Sequence, residues 1–300
     1  MNFALARFSL LISALASLVA CAVVDLRTPC CDYRLREETA ASLFSDPGAR
    51  KLAEAACNGQ SREVAKLAAA GIDPNARGKN GETPLHWALS CRSLAGVEAL
   101  LKVGGDPNHQ DDFFITPVAA AATVDEPEYL EAFLKAGGDP AYSIYEQYKR
   151  ASVADYNNNM IPNMVSYGHI ITDAIHTGFT DSSGRDAEPG WQHLELLIAY
   201  GADLNTNLNS RARSEEQVST MATRLIMMNR ACKALELMQR GLDRNLPGLR
   251  SFAKTSQSPS ASENGRCNSE IIRIVDEQFG PAPEPLEPVT PPGPYIPKAR

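Results

Sequence analysis

Five histidines and seven cysteines are the residues of this 300-residue chain best suited to chemistry. His86, His109, His169, His176 and His193 form no His-x-x-x-His pair and no glutamate-flanked metal pattern. The sequence contains no P-loop, no Gly-x-Ser-x-Gly elbow and no dinucleotide fingerprint. The acidic pairs Asp111-Asp112 and Glu215-Glu216 fall in a loop or at a helix start, where carboxylates complement free backbone N–H groups, so they do not read as an acid–base pair. The sequence therefore predicts no enzyme, no metal and no cofactor. The cysteines are Cys21, Cys30, Cys31, Cys57, Cys91, Cys232 and Cys267. None forms a Cys-x-x-Cys pair, which argues against a zinc or dithiol redox centre.

Cys21 closes the stretch MNFALARFSLLISALASLVAC. Arg7 is its single charge, and the apolar run from Phe8 to Ala20 is shorter than the ~20 residues of a spanning helix. Residues 1–20 read as a secretory signal peptide. The end, Leu18-Val19-Ala20-Cys21, resembles the lipobox of bacterial lipoproteins. That resemblance implies cleavage before Cys21 and acylation of its thiol as a lipid anchor, with more apolar chain than the single acyl group that binds membranes only reversibly. The same residues also suit ordinary cleavage after Ala20. Ala22 is not the aspartate that, in the enterobacterial sorting rule, retains a lipoprotein in the inner membrane. The expected location is the envelope, on the periplasmic side, with the outer membrane favoured. Residues 21–35 would be the tether.

The elements that follow are set by a period. Leu52, Ala55, Val64, Leu67, Gly71, Asp73 and Asn75 each recur 33 residues later as Leu85, Ala88, Val97, Leu100, Gly104, Asp106 and Asn108. Thr83-Pro84, Leu101, Gly104, Asp106 and Pro107 recur as Thr116-Pro117, Leu134, Gly137, Asp139 and Pro140. Pro84 suits a first helical turn, where its missing N–H is not needed, and Thr83 can cap that turn. Two apolar stripes follow, the first at Leu85, Ala88 and Leu89 and the second at Val97, Leu100 and Leu101. Gly104 then ends the second helix. A helix–turn–helix unit of this size cannot bury both stripes alone and must stack on copies of itself.

The period and the segment Thr83-Pro84-Leu85-His86 resemble the ankyrin repeat. The resemblance implies an all-α solenoid of about five repeats with capping helices, covering residues 36–280. It spans residues 49–245 most clearly. A first helix, Arg36 to Phe44, would cap the stack. Repeats one to three run Ala49–Arg77, Gly78–Asp111 and Asp112–Ser143. In repeat three the helices are expected at Pro117–Thr123 and from Pro127, with Tyr129, Leu130, Phe133 and Leu134 buried. The period then breaks at residues 142–166 and again at 177–190, on either side of the first helix of repeat four. Repeat five is degenerate, with helices expected at Glu216–Asn229 and Lys233–Arg240. Residues 251–265 read as loose, and a last helix is expected at Asn268–Phe279. Residues 281–300 hold eight prolines and form a Pro-rich, disordered tail.

The resemblance assigns His86 a local structural hydrogen bond. It also places Cys57 and Cys91, 34 residues apart, at one height in adjacent first helices. Cys232 and Cys267 would be neighbours in the same way. An exported chain permits two bridges, Cys57–Cys91 and Cys232–Cys267; buried free thiols are the alternative. A net charge of −7, or −8 once Arg7 leaves with the signal peptide, disfavours nucleic acid, which needs clustered cations. Ankyrin repeats as a family bind proteins. GETPLHWAL, LLKVGGDPN and YLEAFLKAGGDP resemble exported bacterial ankyrin lipoproteins, of which some are immunity proteins against toxic secreted effectors, such as a phospholipase of type VI secretion. The other reading is a structural or assembly lipoprotein that supports envelope proteins or oxidant resistance. The expected partner site is the tyrosine-rich interruption, with Tyr142, Tyr145, Tyr148 and Tyr156, joined by Trp191 and extended by Trp87. Tyrosine and tryptophan are favoured interface anchors.

Overall fold

The computed structural model describes residues 38–144, 147, 171, 188–209, 214, 218–256, 259–260 and 262–280. These residues form twelve α-helices: α1 (Ala40–Leu43), α2 (Pro47–Cys57), α3 (Ser61–Ala69), α4 (Pro84–Ser90), α5 (Leu94–Lys102), α6 (Pro117–Ala121), α7 (Pro127–Lys135), α8 (Glu188–Ala199), α9 (Met221–Met227), α10 (Ala231–Gln239), α11 (Leu246–Thr255) and α12 (Glu263–Phe279). The chain divides into two units, Met1–Ala202 and Asp203–Arg300. Among the described residues the fold is all-α, and α2 to α7 are the helix pairs that the ankyrin pattern predicts.

In the first unit the pairs α2/α3, α4/α5 and α6/α7 stack in sequence order, each helix packing on its counterpart in the next pair, and α8 packs on α7. First helices start where the sequence places a capping side chain before a proline. Asp46 accepts the Ala49 N–H at 2.7 Å ahead of Pro47, and Thr116 Oγ1 accepts the Ala119 N–H at 3.2 Å ahead of Pro117. Second helices end on Gly71, Gly104 and Gly137 at φ 91°, 97° and 91°. That left-handed backbone is cheap only without a side chain. Leu52, Val64, Leu85, Val97, Leu100, Val118, Leu130 and Phe133 are all 0% exposed; they are the two apolar stripes, buried by stacking.

His86 holds the second pair to the third. Its Nδ1 accepts the Thr83 N–H at 3.1 Å, so the ring carries its proton on Nε2, which donates to the Ile115 carbonyl oxygen at 3.2 Å. The loops carry a second ladder with the same period. Asn75 Nδ2 donates to the Gly104 carbonyl at 2.9 Å, and its Oδ1 accepts the Asp106 N–H at 2.7 Å. Asn108 repeats this with Gly137 and Asp139 at 2.9 and 2.8 Å. Ala141 stands at the next position and has no side-chain amide, so the ladder stops where the period breaks.

In the second unit α9 pairs with α10 and α11 with α12, while α10 packs on α12 and α9 on α11. Several boundaries differ from expectation. The first helix begins at Ala40 because Thr39 caps it, accepting the Ser42 N–H at 3.1 Å. α6 ends at Ala121. α9 begins at Met221, and α10 covers Ala231–Gln239. Residues 251–255 belong to a helix, α11, that the sequence reading left out, and α12 starts five residues early at Glu263. Ser262 Oγ caps α12 by accepting the Gly265 N–H at 3.0 Å.

Candidate functional site

Two half-buried disulfides stand at the expected pairs. Cys57 and Cys91 have Cα atoms 5.3 Å apart, and Cys232 and Cys267 have theirs 5.0 Å apart. Neighbouring helix axes lie ~8–10 Å apart, so a bridge between them needs a place where the chains converge. Cys57 is the last residue of α2 and Cys91 the first after α4. Beside them Ser93 Oγ donates to the Ala56 carbonyl at 2.7 Å. A Cβ on Gly96 would lie 1.9 Å from that same oxygen, so glycine is what allows α5 to close on the end of α2. Cys232 and Cys267 lie inside α10 and α12, not ahead of them as the sequence suggested. The Pro259 carbonyl would meet a Cβ on Gly265 at 2.0 Å, so there too a glycine permits close packing.

The loops between pairs form the other feature. Arg77 reaches from one loop to the next: its Nη1 donates to His109 Nε2 at 2.9 Å and its Nη2 to Asp112 Oδ1 at 2.7 Å. His109 therefore carries its proton on Nδ1. Burial, then the Arg77 guanidinium, hold its pKa below the ordinary histidine value, against the carboxylates of Asp106 and Asp73. Asp112 N–H donates to the Asn80 carbonyl at 2.8 Å. Asp111, 6% exposed, accepts the N–H groups of Phe113 and Ile115 through one oxygen, each at 2.8 Å. An open groove of about 610 Å³ runs along these loops, lined by Arg77, Asp106, Asn108, His109, Asp112 and Phe114 among others.

Of the expected partner residues, Tyr142, Trp87 and Trp191 are among the described ones. Tyr142 is 5% exposed and its hydroxyl donates to the Phe114 carbonyl oxygen; it braces the loop from within, which corrects its assignment as a partner contact. Trp87 packs against the cluster of Ala40, Leu43, Phe44, Ala49 and Ala53, so it is an anchor for the capping helix. Trp191 lies half-buried in α8. Tyr145, Tyr148 and Tyr156 lie outside the described residues, as does Cys21. Among the described residues no group of three or more His, Cys, Asp or Glu is placed to hold a metal ion, and no helix is long and apolar enough to cross a membrane. The groove-lining loop 109–115 was missed as a site by sequence reasoning. Its one signal is the Phe113-Phe114 pair within a polar turn.

Residues 28–143 match the family model of ankyrin repeats (3 copies), which covers the first three repeats. No curated protein matches the chain. Among solved structures the chain is similar to the crystal structure of the human ASB11 ankyrin repeat domain, at 18% identity and a TM-score of 0.47, over 73% of this chain and 82% of that one. The matched segment is thus a set of ankyrin repeats, a module for protein–protein interaction.

Proposed function

We propose that this chain is a non-enzymatic, lipid-anchored binding protein of the bacterial envelope, facing the periplasm from the outer membrane. Its partner is a toxic protein delivered by secretion, of the class of type VI phospholipase effectors, which it neutralises by binding. The observation that carries the location is the pair of bridges, each joining successive helix pairs, since such bonds persist in oxidising compartments and not in the cytosol. Lipidated Cys21 would hold the binding stack at the membrane that such an effector attacks.

The test uses the full chain with a C-terminal tag, captured from detergent-solubilised washed membranes. Expected is co-purification of a secreted phospholipase effector and loss of that effector's lipid hydrolysis on mixing. Recovery of other envelope proteins, with hydrolysis untouched, would instead support the structural or assembly role. In parallel, Cys21→Ser should abolish lipid labelling and release the protein from alkaline-washed membranes; full retention of that variant would overturn the anchor.

A further inference from the structure

The loop Asp111–Ile115 is held by a net of hydrogen bonds that leaves one aromatic side chain, Phe113, partly exposed. Asp111 is buried, and one of its carboxylate oxygens accepts two backbone N–H groups of the loop. The Asp111 N–H donates to the Ile115 carbonyl at 3.0 Å, and the Phe114 N–H to the Asp111 carbonyl at 3.0 Å. From the far end of the same repeat Tyr142 donates to the Phe114 carbonyl, and from the two earlier repeats Arg77 and Asn80 grip Asp112. Phe114 sits at φ 59°, a conformation rare for a bulky residue and held here by those bonds. Phe113, between the gripped Asp112 and Phe114, is 37% exposed. A loop whose backbone is fixed in this way loses little freedom when a partner covers it.

The surroundings set the partner's charge. Asp73, Asp106 and Asp139 recur every 33 residues along the same edge, all exposed. Each of the three repeating carboxylates accepts the N–H two residues on through Oδ1, at 2.8 to 2.9 Å. Oδ2 of each is then available to a donor from outside. The guanidinium of Arg77 does not serve these three, being committed to His109 and Asp112.

We infer that this edge docks a basic, amphipathic segment of a protein partner, with Phe113 as the apolar anchor and the Asp73–Asp106–Asp139 row as the complement to its lysines or arginines. The inference rests on the protein-binding reading above and names which surface does the binding and what chemistry it selects.

The test measures anisotropy of two labelled 18-residue helical peptides with identical leucines on one face. One carries lysines on the other face, and the other carries glutamates. Each is titrated with the full chain. The lysine peptide should bind and the glutamate peptide should not. Phe113→Ala should weaken the lysine peptide by about tenfold or more, as for an interface anchor, with an unchanged circular dichroism spectrum. The triple variant Asp73→Asn, Asp106→Asn, Asp139→Asn keeps the Oδ1 acceptor of each turn and removes only charge. It should weaken binding at low salt and match the parent at high salt, where surface charges are screened. Equal or absent binding of the two peptides, or parental affinity in Phe113→Ala, overturns the inference. Capture of an effector that binds Phe113→Ala as well as the parent would leave the function standing and remove this surface from it.

Discussion

The first three helix pairs and the second unit solve the same packing problem by different means. Between residues 38 and 144 the bonds recur with the sequence period: the asparagine ladder, the glycine stops and the Thr-Pro helix starts each appear more than once. In the second unit the glycine stop persists at Gly241, φ 107°, but the other two features weaken. Thr220 precedes α9 but makes no side-chain cap bond to it. Asn205 stands in the ladder position, yet its Nδ2 reaches the Gly241 carbonyl only at 3.4 Å. What holds this unit is particular to it. Arg250, with its side chain 9% exposed, donates from Nη1 to Asp276 and to the Gly280 carbonyl, both at 2.7 Å, and so ties α11 to the end of α12. Periodic bonding spreads stability over many small equal contributions, whereas the second unit concentrates it in a few residues.

Removing the bridges is the largest test of that contrast. The double variants Cys57→Ala/Cys91→Ala and Cys232→Ala/Cys267→Ala should each lose about 2–4 kcal/mol in urea denaturation. The first joint keeps Ser93, Gly96 and the adjoining ladder, so its loss should fall at the low end of that range and the second at the high end. The opposite order would break the comparison. Next is Arg250→Met, which leaves Asp276 without its cation. Since Asp276 stays partly solvated, the cost should be about 2–3 kcal/mol, at or below the low end for a broken buried pair, and should be confined to the second unit in hydrogen exchange. Smaller again is the ladder itself. Asn108→Ala removes two short bonds and should cost about 1–2 kcal/mol. Asn205→Ala removes longer ones and should cost less when both are measured by thermal denaturation.

Legibility in the sequence follows the same divide. The first three repeats were readable because each position was written more than once: Gly71 predicts Gly104, and Gly104 predicts Gly137. Both disulfides were readable because the repeat turns a sequence separation into a height in the stack. Helix α11 was not, although Leu246, Leu249 and Ala253 lie on one face behind a capping Asn245; without a copy elsewhere, its short stripe looked like loop. Tyr142 misled for a related reason. Tyr142 carries the composition of an interface anchor, but composition does not say which way a side chain points, and its hydroxyl is spent on Phe114. Phe113 was passed over because a single aromatic pair in a polar loop has no period to mark it.

The finest test concerns His109, and its sign follows from the fold. Burial and Arg77 lower its pKa below the 6.5 of an unfolded chain. Above that value both states are neutral and the histidine contributes no pH dependence. As pH falls through about 6.5, the unfolded chain takes up its proton first, so stability declines, and the decline levels off once pH passes the lower folded value. A proton on Nε2 would also turn the Arg77 contact from a hydrogen bond into two facing cations and loosen the loop that carries Phe113. His109→Gln, which keeps an acceptor for Arg77 and cannot titrate, should flatten that part of the curve. The measurement is the difference in melting temperature between parent and variant from pH 7.5 to 5.5, which removes the contribution of every other titrating group. The difference should shift in the variant's favour as pH falls, by a small amount because the ring is only half-buried. A shift in the parent's favour would mean that Asp106 and Asp73 outweigh Arg77 and burial at this joint.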